Sequence, residues 1–249
     1  MKNFELYSKY YDLLYKDKNY EVESNYVYES LKDNTKKLTS ILELGCGSGN
    51  HANYLITKNL AITGLDRSKE MILEAKNKNL PNFEPKVSDI TKFSLDKKYD
   101  SVIALFHVIS YLENNDDLIS CFKCVHDHLN DDGVFLFDFW YTPCVLKLRP
   151  EVKIKRIDNL NHRVTRIAEP DIDSVNNVVV VNFDVIIEDL EANKSLRLNE
   201  KHRMRHFSIK EIELLCKLTG FELLLKEEFV TKSIPSEETW GICVMLKKI

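Results

Sequence analysis

Three glycines at alternate positions, Gly45, Gly47 and Gly49, follow the apolar residues Ile41, Leu42 and Leu44. Glycine tolerates positive φ and lets a flat ligand lie against the main chain. The stretch therefore reads as a buried strand ending in a ligand-binding loop, with a helix starting near Asn50 or His51. Two acids stand where they can serve that loop. Asp66 closes the apolar run from Leu60, about twenty residues past Gly45, a position from which a carboxylate accepts from both ribose hydroxyls of a nucleoside. Asp89 closes the next short run, Phe83 to Val87. Helix capping or turn formation is the alternative for either acid alone. Their recurrence at the ends of successive strands favours a nucleoside site.

The dinucleotide fingerprint G-x-G-x-x-G requires a glycine where this chain has Asn50,. An NAD-dependent reductase is therefore the weaker reading. A cofactor-binding protein without catalysis also stays open, and it needs an acceptor mouth that is blocked or empty.

Ligands of open α/β sheets bind outside the carboxyl ends of the strands. The fourth strand delivers Phe106-His107-Val108-Ile109-Ser110-Tyr111 to that edge, and the fifth delivers Asp138-Phe139-Trp140-Tyr141. Histidine is the side chain poised to take a proton near neutral pH, so His107 is the candidate base or acceptor-orienting group, with capping of the next helix as its alternative. Tyr111, Trp140 and Tyr141 are candidate pocket walls. Tyr10 and Tyr15 are candidates for a lid, with core packing the alternative for each. On an extended strand His202, Met204 and His206 face one way and Arg203 and Arg205 the other. Either set could reach an acceptor; arginine suits bidentate phosphate contacts, so Arg203 and Arg205 are the candidate contacts to an anionic acceptor, with a solvated basic face as the alternative. Cys121, Cys124, His126 and His128 resemble a metal cluster. A helix there would put His126 off the face shared by the other three, so no metal is expected.

The elements that position these residues alternate. Strands are expected at Ile41–Leu44, Leu60 to Asp66, Phe83 to Val87, Tyr99 to Phe106 and Val134 to Phe139. Helices are expected after Asn50 through about Lys58, from Lys69 to Asn77 with Ser68 as cap, and from Asp116 to Leu129. Upstream, two helices break near Lys16 to Asn19. The alternation predicts a parallel sheet with right-handed crossovers. From Val152 to His206 β-branched runs replace helix periodicity, and Asn176-Asn177 and Glu191-Ala192-Asn193 mark turns, which predicts a three-stranded antiparallel insertion. Ser208 to Thr219 is a helix with a capping box to Glu211 and a stop at Gly220. Phe221 to Thr231 and Thr239 to Lys247 supply the last two strands. The fold class is α/β, a Rossmann-like doubly wound seven-stranded sheet with its last strand antiparallel, carrying an antiparallel β insertion.

At 249 residues, with 44% apolar and 30% charged residues, the chain has the composition of one soluble globular domain,. A formal charge of −4 gives no reason to expect nucleic-acid binding, although Lys147 to Arg166 holds a local excess of five positive charges,. The N-terminus has no apolar signal region and no run approaches a membrane span. The expected location is cytoplasmic, with the six cysteines reduced,.

Glu43-x-Gly45-x-Gly47-x-Gly49 resembles motif I of the class I S-adenosylmethionine-dependent methyltransferases. The whole chain is similar to the small bacterial sugar-amine N-methyltransferases through four segments: Tyr10-Tyr11-Asp12-Leu13-Leu14-Tyr15, Gly45 to His51, Asp138-Phe139-Trp140-Tyr141, and His202-Arg203-Met204-Arg205. It departs at Thr142-Pro143, where relatives continue with glycine. The resemblance implies S-adenosylmethionine as donor and S-adenosylhomocysteine as product. It implies that the donor is held by Tyr15, Glu43, Gly45, Cys46, Gly47, Gly49, Asp66, Arg67, Met71, Asp89, Ile90 and Leu105, with Asp89 at the adenine amino group. The acceptor implied is a small polar molecule, an amine of a nucleotide-linked sugar or phosphorylated compound, with O-methylation of a sugar as the alternative. It further implies one methyltransferase domain with an N-terminal helical lid (1–38), a core (39–141 and 207–249) and an insertion (150–206) used for homodimerisation.

Overall fold

The computed structural model describes residues 12–158 and 161–249. Strands β1 (Ser40–Leu44), β2 (Ala61–Asp66), β3 (Phe83–Val87), β4 (Tyr99–Ala104) and β5 (Leu129–Trp140) run parallel. Ile41, Leu42, Leu44, Val102 and Ile103 are fully buried, as expected of parallel strands covered on both faces,. β4 stops at Ala104, two residues earlier than its apolar run, because Phe106 and His107 both turn into the left-handed region. β5 starts earlier than the turn residues Asp132-Gly133 suggest. The chain passes straight from helix to strand at Leu129, and a register shift against Tyr99 and Ser101 together with a positive φ at Asp132 absorbs the turn as a bulge,.

The helices follow their caps. α1 (Tyr20–Asn34) starts with Asn19 accepting from the Val22 amide, and α2 (Asn50–Leu55) starts at the glycine loop and tightens into a 3-10 turn at Ile56–Lys58. α3 (Lys69–Asn77) is capped by Ser68 and α4 (Asn115–His128) by Asn114. α5 (Thr142–Leu148) was not expected. Seven residues are too few to show a helical period, and Pro143 lies in the first turn, where its missing N–H costs nothing,.

The insertion has four strands rather than three: β6 (Lys153–Asp158), β7 (His162–Asp173), β8 (Val178–Asp189) and β9 (Lys194–Arg205), all antiparallel. β6 reads as a charged loop because it holds only two apolar residues, and Ile154 is 54% exposed. It is an edge strand, and charge on an edge discourages pairing with other chains. Val164, Val185, Ile187 and Leu198 pack around Leu14, so the N-terminal segment completes the core of the insertion.

After the insertion, α6 (Ile209–Thr219) carries the full capping box and ends at Gly220. β10 (Phe221–Glu228) and β11 (Gly241–Lys248) then finish a sheet of order β10-β11-β5-β4-β1-β2-β3, with β11 antiparallel to both neighbours. Phe122 of α4 and Ile212 of α6 pack with Phe135 and Phe137 on one face. Val27 and Leu31 of α1 and Leu55 of α2 pack with Ile41, Ile103 and Met245 on the other. The strand order reverses between β1 and β4, which opens a crevice at their carboxyl ends. No helix among the described residues is long and apolar enough to cross a membrane.

Candidate active site

The glycine loop leaves β1 with positive φ at all three glycines, +65°, +53° and +79°. They do different work. A Cβ on Gly45 would stand 2.4 Å from Val108 Cγ2, and one on Gly49 would stand 2.7 Å from the Phe83 ring. A Cβ on Gly47 would meet nothing within 4 Å. Gly45 and Gly49 are thus closed in by packing, whereas Gly47 faces open space.

Asp66, at the end of β2, ties the loop to the next helix. Its Oδ2 accepts from the Gly47 amide at 3.0 Å and its Oδ1 from the Ser68 amide at 2.8 Å. Burial nevertheless pushes its carboxyl above the usual range. Beneath the loop Glu43 is wholly buried. Burial and then the charge of Asp66 push its carboxyl up to about 8, so it is largely protonated at neutral pH,. The N-terminal segment clamps this loop from outside. Asp12 accepts from Ser48 Oγ at 2.7 Å and Asn50 Nδ2 at 2.9 Å, while Glu23 pairs with His51 Nε2 at 2.8 Å and with Lys18.

A cavity of about 950 Å³ runs from this loop across the ends of β4 and β5 to the insertion. Tyr15, Gly45, Cys46, Gly47, Asp66 and Arg67 line it on the loop side, followed by Met71, Asp89, Ile90 and Leu105. Asp89 also forms a local turn, with Oδ1 accepting from the Thr91 amide at 2.9 Å and its hydroxyl at 2.7 Å. These hydrogen bonds, led by the Thr91 amide, hold its carboxyl below the usual range.

His107, Tyr111 and Trp140 line the same cavity. Phe106 and His107 have φ of +65° and +62°, and consecutive bulky residues in this region carry backbone strain of about 1–3 kcal/mol each. Packing and Asp138 hold them there. His107 Nδ1 lies 2.8 Å from Asp138 Oδ2, and the His107 amide donates to the same carboxylate. Burial alone would raise the Asp138 carboxyl; the His107 ring and amide hold it low. At Nδ1 the contact is an ion-pair distance without hydrogen-bond alignment, so Asp138 acts on the ring through its charge, and Nε2 is the nitrogen left to accept a proton,.

The family model described as a methyltransferase domain matches residues 16–226. The chain belongs to the class I S-adenosylmethionine-dependent methyltransferases. Over 135 residues it is 27% identical to dTDP-3-amino-3,4,6-trideoxy-alpha-D-glucopyranose N,N-dimethyltransferase of Streptomyces venezuelae, covering 53% of this chain and 56% of that enzyme. It is also 27% identical to dTDP-3-amino-3,6-dideoxy-alpha-D-glucopyranose N,N-dimethyltransferase of Streptomyces fradiae, covering 53% and 52%. The match thus spans about half the length of these relatives. Among solved structures, a S-adenosylmethionine-dependent methyltransferase from Clostridium acetobutylicum superposes with a TM-score of 0.81 at 24% identity, covering 100% of this chain and 99% of that one. That likeness establishes the fold.

Several expected contacts of the methyltransferase lie off the cavity. Gly49 packs against Phe83, and Glu43 sits below the loop. Tyr141 precedes α5 and bridges to Phe207 instead of forming a wall. Arg203 pairs with Glu113 at 2.6 Å, and Arg205 donates to the Glu113 carbonyl and Asn115 while stacking on Phe207. The strand alternation was legible, but the face was not: His202 and Met204, rather than the arginines, face the cavity. Tyr10 lies outside the described residues. Sequence reasoning missed Lys153, Arg166 and Phe183, which reach the cavity from the insertion. The basic stretch from Lys147 to Arg166 signalled two of these. Phe183 sits within a β-branched strand and left no separate signal.

Proposed function

We propose that this methyltransferase methylates the amine of a nucleotide-linked amino sugar. The carrying observation is that the imidazole of His107, fixed by Asp138, opens onto the cavity that the glycine loop borders. Lys153 and Arg166 stand on the insertion side of that cavity, suited to a diphosphate, and the names of the two Streptomyces relatives support an amino-sugar nucleotide.

The residues present fit the donor. Gly47 leaves room for a ligand against the main chain, and the carboxylates of Asp66 and Asp89 on the wall suit ribose hydroxyls and an adenine amino group. Ile90, Met71 and Leu105 offer apolar surface beside them. When bound, S-adenosylmethionine supplies an electrophilic methyl group on a sulfonium. An amine acceptor that enters as an ammonium must first lose a proton, and His107 Nε2 takes it. Asp138 stabilises the imidazolium that results. Trp140, whose ring centroid is 5.8 Å from that of His107, and Phe106 exclude water and align the acceptor,.

Thermal-shift assays with S-adenosylhomocysteine and with NAD, followed by a labelled-methyl screen over amino-sugar nucleotides, test the proposal. Stabilisation by S-adenosylhomocysteine and label on the amine are expected. Label found only on hydroxyl acceptors would overturn it.

A further inference from the structure

A second set of side chains joins the core to the insertion across the cavity. The Tyr111 hydroxyl lies 2.7 Å from His202 Nδ1, and His202 Nε2 lies 3.0 Å from Glu200 Oε2. Tyr111 ends the 3-10 turn Val108–Tyr111 that follows β4, whereas Glu200 and His202 stand two residues apart on β9 and so share a face,. Tyr111 and His202 line the cavity; Glu200 sits behind them with its side chain only 6% exposed. Glu200 Oε1 is buried and has no hydrogen-bond partner among the described residues. The Phe183 ring meets the His202 ring edge-on at 4.9 Å and fixes its plane.

The direction of this chain follows from chemistry. An ionised carboxylate only accepts, so His202 Nε2 carries the hydrogen that faces Glu200. Nδ1 is then the acceptor, and the Tyr111 O–H donates to it. A free phenol is a poor base near neutral pH. A phenol that can pass its own proton to a carboxylate-backed imidazole can accept one without becoming a phenolate.

We propose that Tyr111 is a second proton-accepting catalytic residue of the site, with His202 and Glu200 as the positioning residues behind it. The inference rests on the amine-acceptor reading above. His107 takes the proton lost before transfer; once the methyl group has arrived, the methylated ammonium gives one of its remaining N–H protons to the Tyr111 oxygen while the Tyr111 proton passes to His202 Nδ1. The electron pair of the broken N–H bond stays on the acceptor nitrogen. The imidazolium formed keeps its Nε2–H toward Glu200, which stabilises the new charge. The other groups acting on Tyr111 are Tyr15, Arg67 and Asp66, and Lys153 and Arg166 share the cavity. His107 and Asp138 form a separate pair on the core side.

Long-range proton–nitrogen spectra of the histidine-labelled protein test the chain without any acceptor, with His202→Gln assigning the ring. The Nε2–H tautomer is expected. Tyr111→Phe should move the Nδ1 resonance, and Glu200→Gln, whose amide can donate to Nε2, should raise the share of the Nδ1–H form. With an amino-sugar nucleotide, Tyr111→Phe and Glu200→Gln should lower kcat about 10- to 100-fold and shift the acidic limb of the pH profile, with S-adenosylhomocysteine affinity unchanged. If Glu200→Gln fails to fold, the half-exposed Tyr111→Phe still carries the test. A wild-type Nδ1–H tautomer, or an undiminished kcat in Tyr111→Phe, would overturn the proposal. If the wild type methylates no amine, the functional reading fails, whereas a wrong tautomer fails the relay alone.

Discussion

Single alanine substitutions at the three loop glycines should separate the loop's packing from its ligand surface. All three carry positive φ, which costs an L-residue about 1–2 kcal/mol,. Gly47→Ala meets no atom within 4 Å and should show only that cost, about 2–8 °C in Tm for a chain of this size. Gly45→Ala and Gly49→Ala add contacts of 2.4 Å to Val108 and 2.7 Å to Phe83. Overpacking of that kind costs a further 1–3 kcal/mol or so, for a total of about 2–5 kcal/mol. The ordering should reverse for the ligand. The new methyl of Gly47→Ala stands at the cavity wall, so this variant should lose the most S-adenosylhomocysteine affinity relative to its loss of Tm. Differential scanning calorimetry of the apo variants and isothermal titration with S-adenosylhomocysteine read the two quantities. The reasoning is refuted if Gly47→Ala melts as low as Gly49→Ala, or if it binds the ligand like wild type.

Replacing His107 with alanine should lower kcat roughly 10²- to 10⁴-fold while leaving S-adenosylhomocysteine affinity within about twofold, read by single-turnover methyl transfer and titration. Glu43 has a folded-state carboxyl raised from 4.5 to about 8, so its stabilising contribution is full below 4.5 and is lost as pH rises through about 8,. Glu43→Gln should therefore remove a slope of up to about 1.4 kcal/mol per pH unit from the stability curve in that window, measured by urea denaturation. Asp100 Oδ2 accepts from the amides and hydroxyls of Thr39 and Ser40, and Oδ1 accepts from Asn130. Burial raises its carboxyl, but these hydrogen bonds outweigh it and hold the carboxyl low. Asp100→Ala should cost about 2–3 kcal/mol at neutral pH, and the gap to wild type should narrow as pH falls through the folded pKa, followed by thermal melts from neutral to acid pH.

The fold was legible wherever a local signal and the global pattern agreed. Gly45, Asp66 and Asp89 each fall at or just past the end of a strand, and Ser208, Glu211 and Gly220 bracket a helix with a full set of terminal signals,. Legibility failed where tertiary context decided. β6 is strand because β7 offers it a pairing edge, not because Lys153 to Asp158 favour extension,. The end of β4 depends on Asp138 capturing the His107 amide across 31 residues, which no local pattern encodes. The same distinction separates the halves of the site. The loop side of the cavity is built from residues contiguous with their strands, so spacing finds it. The insertion side of the cavity is assembled from β6, β7, β8 and β9 against Tyr111, and period-two alternation identifies the faces of β9 without saying which one turns inward,.

The most direct test of the account is methyl transfer itself, with the purified protein, S-adenosylmethionine and a panel of nucleotide-linked sugars bearing either a free amine or only hydroxyls. Mass spectrometry and carbon NMR of the products locate the new methyl groups. One or two methyl groups on the amine nitrogen, and none on the hydroxyl-only members, is the predicted result. Methylation of hydroxyls with the amines untouched would contradict it.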